Sequence, residues 1–162
     1  MTHKFLLFVL FLSLASHSFQ NPNPKNPNLD SNSNSSSLSP VHTELTNHGL
    51  PVGLLPATTV LNYNVNQTSG DFTVYLGDSC KITLPPDNYL ATYSKKITGK
   101  IVMGRIAELN GIRVWAFFKW WSITGIRSNG DDLVFEVGMV TAKYPTNNFN
   151  ESPACEGRHS AS

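Results

Sequence analysis

The sequence predicts a mainly β domain, an antiparallel β-sandwich or distorted β-barrel with a short N-terminal helix. Three observations predict it. Short segments alternate apolar and polar residues, as in Phe72, Val74 and Leu76 against Thr73 and Tyr75. Clusters of Gly, Pro, Asn, Asp and Ser punctuate them at short intervals. No long amphipathic helical pattern intervenes, and short turns between strands are the mark of antiparallel layers.

The domain is preceded by two segments of different character. Residues 1–18 read as a secretory signal peptide. Met1–Lys4 is a mildly basic start, residues 5–14 are an apolar run too short to span a bilayer, and Ser16 and Ser18 suit a signal peptidase. Residues 19–40 are almost wholly Asn, Pro and Ser, a composition that cannot bury enough apolar surface to offset its ordering entropy, so a disordered linker is expected. The folded domain is expected over 41–155 and a disordered tail over 156–162. Asn34, Asn66 and Asn150 open Asn-x-Ser/Thr triplets and are glycosylation candidates on a secreted chain.

The elements follow in order. Residues 43–49 suit one or two helical turns stopped by Gly49. Residues 50–56, LPVGLLP, form a stiff, non-helical apolar elbow because proline restricts itself and the residue before it. Strands are expected at 59–65, 72–76, 80–84, 89–93 and 97–109. Asn110-Gly111 is a hairpin signal into an aromatic strand at 111–126, GIRVWAFFKWWSITGI, and residues 128–131 are a second, leading to the strand that begins at Leu133. The aromatic strand is placed at the centre of the core, where five buried rings would contribute on the order of 10–15 kcal/mol. On a continuous strand Trp115, Phe117 and Trp121 share one face. That face, with Leu54 and Leu55 of the elbow, is the candidate wall of an apolar ligand pocket.

The elbow 50–56, the strand pair starting at Phe72, and the closing Phe149, Ser152-Pro153 and Cys155 resemble the plant proteins catalogued as domain of unknown function 538, over roughly residues 44–155. The resemblance implies a compact, β-rich, plant-specific single domain. It also brings a link to stress responses and two comparisons, one with lipid-binding proteins of the bactericidal/permeability-increasing type and one with chlorophyll-hydrolysing activity.

The remaining chemistry is sparse. Cys80 and Cys155 are the two cysteines, and an even count on a secreted chain implies a disulfide. Gly77-Asp78-Ser79 is similar to the start of a GDS-type esterase motif, with Ser79 the available nucleophile, but the Asp-x-x-His partner is matched only by residues 156–159. A nucleophile needs a base held within hydrogen-bond reach, so Ser79 reads first as a turn residue. No His or Cys spacing suits a metal, and no cofactor is expected. The formal net charge of +1, without a basic stripe, argues against nucleic acid. No segment after the leader can span a membrane. The sequence therefore points to a secreted, apoplastic, monomeric, non-enzymatic binding domain for a lipid-like or amphipathic small molecule. The alternatives are an esterase acting on an apolar ester, and an apoplastic interaction protein without a small ligand.

Overall fold

The computed structural model describes residues 38–156. The expected signal peptide, most of the linker, Asn34 and residues 157–162 lie outside the described residues. A helix, α1 (Pro40–Asn47), is followed by 3-10 turns at Val52–Leu54 and Ala57–Thr59. Eight strands come next: β1 (Val60–Val65), β2 (Asp71–Leu76), β3 (Cys80–Leu84), β4 (Tyr89–Val102), β5 (Arg105–Ala116), β6 (Lys119–Asn129), β7 (Asp132–Val137) and β8 (Val140–Pro145). A 3-10 turn at Thr146–Phe149 closes the series. The strands make one antiparallel sheet in the order β1-β2-β4-β5-β6-β7-β8, with β3 also on β4. The mainly β, antiparallel class with a short N-terminal helix is what the sequence predicts.

The ends of α1 follow from its residues. Pro40 sits in the first turn, where its missing N–H costs nothing. At the other end Gly49 takes φ +69°, its N–H bonds the Thr46 carbonyl, and the Leu50 N–H bonds back to Leu45. This paired closure needs a residue at ease with positive φ, which glycine is. Leu45 and Leu50 are both buried at that end.

β4 is one long strand, where the sequence suggests two. Its first half pairs with β3, from Leu84↔Tyr89 to Cys80↔Tyr93. Its second half pairs with β2, from Tyr75↔Lys96 to Asp71↔Lys100. Ser94 and Lys95 fall between these ladders, and Lys95 reaches Asp78 at 3.4 Å. Lys96 pairs with Tyr75 and lies over its ring.

The hairpin expected at Asn110-Gly111 is absent. Those residues lie within β5, and the chain reverses at Met103-Gly104, with Gly104 at φ +68°. Gly111 instead allows a close crossing: a Cβ there would lie 2.5 Å from the Lys96 carbonyl oxygen. Glu108, also at positive φ, and a register shift in the β4–β5 pairing mark the same bend. Asn129-Gly130 does turn β6 into β7.

The core is mainly aliphatic, and its aromatic members Phe72, Tyr93, Phe135 and Phe149 come from outside the stretch 111–126. Val41 and Leu45 of α1 and Leu54 and Leu55 of the elbow pack on Ile97, Ile101, Ile106, Ile112 and Ile126 of the sheet. The void left among them is about 30 Å³, room for one water at most. The elbow lacks a sheet ladder, so side chains satisfy its carbonyls. The Tyr93 hydroxyl donates to Leu54 O at 3.2 Å, and Ser152 donates to Leu55 O at 2.9 Å. His42 Nε2 lies 3.0 Å from the same Leu55 oxygen. Cys80 and Cys155 are disulfide-bonded, tying β3 to the segment after the last turn. Glu156 continues that attachment through its N–H to Lys81 O, so the chain is still ordered one residue into the expected tail.

Candidate functional site

The aromatic stretch 111–126 is not one strand. β5 ends at Ala116, Phe117 and Phe118 form a two-residue turn, and β6 starts at Lys119. Both turn residues have positive φ, +50° and +63°, as the hairpin turn best matched to strand twist requires. Asn and Gly are the usual occupants, so the Phe pair hides the turn from sequence patterning. The ladder Val114↔Trp121, Trp115↔Trp120 and Ala116↔Lys119 sets the reversal.

The reversal redistributes the side chains. Directly paired residues of antiparallel strands lie on one face, so Val114, Ala116 and Trp121 share the inner face. Trp115 and Trp120 share the outer face, with ring centroids 5.5 Å apart. The expected core position of the rings does not hold: Phe117 is 82% exposed, Phe118 94% and Trp115 41%.

On the inner face lies an apolar pocket of about 220 Å³. Phe117, Trp121, Val137 and Val140 line it, and Phe135 and Phe149 stand among the remaining lining residues. Trp121 is held as a wall by three contacts. Its Nε1–H donates to Ala116 O at 2.9 Å, Lys119 Nζ sits 3.7 Å above the ring, and the Gly138 backbone passes beside it. The Phe135 ring packs against Tyr144 and Phe149, with centroids 6.1 and 5.2 Å away. Tyr89 and Tyr144 bring the hydroxyls of the lining. Burial, then the Asp87 carboxylate and Tyr89, hold the Tyr144 phenol protonated above the usual range.

The pocket exists because the inner face is longer than what covers it. An eight-residue helix spans about 12 Å, whereas a fourteen-residue strand such as β4 runs to about 46 Å. α1 and the elbow cover the half carrying Ile97, Ile101 and Ile106. The other half, under the β5–β6 and β7–β8 turns, is left open.

The candidate residues therefore separate. Phe117 and Trp121 meet in the pocket, Trp115 lies on the opposite face, and Leu54 and Leu55 are buried in the core. Sequence patterning passed over Val137, Val140, Phe149, Tyr89 and Tyr144; their only signal was apolar character near turns. Met139 stands fully exposed in the β7–β8 turn. Ser79 is exposed in the turn before β3, with its own N–H bonded to the Asp78 carboxylate. His42 and His48 bond the carbonyls of Leu55 and Glu44. Glu136 forms an ion pair with Arg105 at 3.3 Å. Asn66 and Asn150 are exposed, and the Asn66 carbonyl caps its turn by accepting from the Thr68 and Ser69 N–H groups. Among the described residues no group of three His, Cys, Asp or Glu is gathered for a metal. No described helix is long and apolar enough to cross a membrane.

Fold and site together define a mainly β domain on one antiparallel sheet, with an apolar pocket at the uncovered end of its inner face. No curated protein matches the chain. The family model described as "Protein of unknown function, DUF538" matches residues 41–150, well over half of the chain, and the chain belongs to that family.

Proposed function

We propose that this protein is a secreted, non-enzymatic binding domain that takes the apolar part of a lipid-like or amphipathic molecule into the pocket beneath Phe117 and Trp121. The pocket itself carries the reading. An apolar space of about 220 Å³ exceeds the ~150 Å³ cavities that accept a benzene ring, and falls below the ~300 Å³ lower end for drug-sized ligands. That size suits a ring or a short branched chain, with the polar remainder outside. Tyr89 and Tyr144 are the lining residues that carry hydroxyls, and the Tyr144 side chain is hydrogen-bonded to Asp87. The leader composition and the disulfide support a secretory route and an apoplastic destination, where Asn66 and Asn150 are open to glycosylation.

The test is a titration with the polarity-sensitive dye 1-anilinonaphthalene-8-sulfonate, with native mass spectrometry of protein from the apoplast. Ala142 lies in the pocket lining, paired with Phe135. Ala142→Trp fills the space and is expected to weaken dye binding about tenfold or more, with the thermal midpoint preserved. Equal binding by the filled variant overturns the reading.

A further inference from the structure

We propose that the end of the sheet bearing the β5–β6 and β7–β8 turns docks on a lipid bilayer containing anionic headgroups. One turn presents Phe117 and Phe118 and the other Met139 and Val140, all four exposed, and Phe117 and Val140 also line the pocket. Turns normally carry small polar residues. A Phe pair in a turn where both φ angles are positive breaks that rule and strains the backbone, and such violations concentrate where function requires them.

Behind the tips the order of residues suits an interface between hydrocarbon and water. Trp115 and Trp120 each lie two positions back from the nearer Phe of the pair, about 7 Å along the strands, so tips that sink ~5–10 Å place these rings at the headgroups. Trp is favoured at that depth because one part of its ring system is apolar and its N–H is polar. Charge is complementary to an anionic surface. Near the tip, residues 113–122 hold Arg113 and Lys119 and no carboxylate, and residues 137–142 hold no charge. Isologous contact through the β5–β6 tips, by contrast, sets Lys119 near its own counterpart, and residues 113–122 hold no carboxylate to offset it. The protruding turns also fit a deformable lipid surface, which closes around convex tips.

This inference deepens the pocket reading, since a docked mouth faces the acyl layer and an apolar ligand passes between lipid and cavity without crossing water. It is testable separately, because Phe118 and Met139 belong to the tips and not to the pocket lining. The experiment mixes the purified protein with phosphatidylcholine vesicles and with phosphatidylcholine–phosphatidylglycerol vesicles, and follows co-sedimentation and tryptophan emission. All three tryptophans of the chain stand at this end of the sheet, so native emission reports the tip directly. Expected are sedimentation and a blue shift with the anionic vesicles, weaker in high salt. The double variant Phe118→Ser/Met139→Ser is expected to lose about tenfold or more in partitioning, while it melts at the wild-type temperature and still binds the dye. Wild-type protein that stays in the supernatant with unshifted emission overturns the proposal. So does a double variant that partitions as the wild type does. A concentration-dependent dimer that the variant abolishes, without vesicle binding, reassigns the tips to self-association and also overturns it. If the wild type docks on vesicles while Ala142→Trp binds the dye as well as the wild type does, docking stands and only the pocket reading fails.

Discussion

Tyr93 shows how much one buried polar atom can govern. Its hydroxyl supplies a bond to Leu54 O in an elbow that two prolines keep out of any ladder. Removing it leaves a buried carbonyl unpaired, so Tyr93→Phe is expected to cost about 1–3 kcal/mol by chemical denaturation. Burial also pushes its phenol well above the usual range. The unfolded chain releases that proton near the ordinary value of about 10, while the folded protein retains it. Stability is therefore whole below about pH 10 and falls as pH rises beyond it. Tyr93→Phe is expected to flatten that alkaline loss in urea titrations across the range. Gly53 is constrained by space instead: a Cβ there would meet the Phe149 carbonyl oxygen at 2.3 Å. Backbone cannot move aside as a side chain can, so Gly53→Ala is expected to cost about 2 kcal/mol or more in a thermal melt.

Among the elements, the β5–β6 hairpin is the one whose local chemistry opposes its shape. Phe at two positive-φ positions costs free energy that Asn-Gly does not. Phe117 and Phe118 have little packing to lose at their exposure. Replacing the pair by Asn-Gly is thus expected to raise stability by about 1–2 kcal/mol, read as a higher denaturation midpoint. The same change is expected to abolish vesicle binding. A variant that is less stable than the wild type would show that the rings hold the turn together. The aromatic stretch also shows why patterning failed there: its composition favours strand throughout, and the turn is set by pairing between Trp115 and Trp120. At Asn110-Gly111 the error runs the other way. A good turn dipeptide is absorbed into β5 because Gly111 is needed where that strand passes Lys96.

At the scale of the whole molecule, one covalent tie closes a loop of 75 residues between Cys80 and Cys155. It restricts the unfolded chain, so paired Cys→Ser substitution is expected to cost about 4 kcal/mol on the chain-entropy account, measured against the oxidised protein in guanidinium. The sheet class and the short helix ended by Gly49 were determined by the sequence alone, because alternation and glycine act within a few residues, whereas the elbow expected to be non-helical holds a 3-10 turn at Val52–Leu54. The cysteine pairing was legible for a different reason, since two cysteines on an oxidised chain have a single intramolecular pairing. Which rings meet in the pocket, which stand in water, and that the core is mainly aliphatic were decided only by tertiary structure. A two-residue reversal at Phe117 and Phe118 re-sorts every side chain beyond it, and the pocket depends on how far α1 and the elbow reach along a face built from strands distant in the chain.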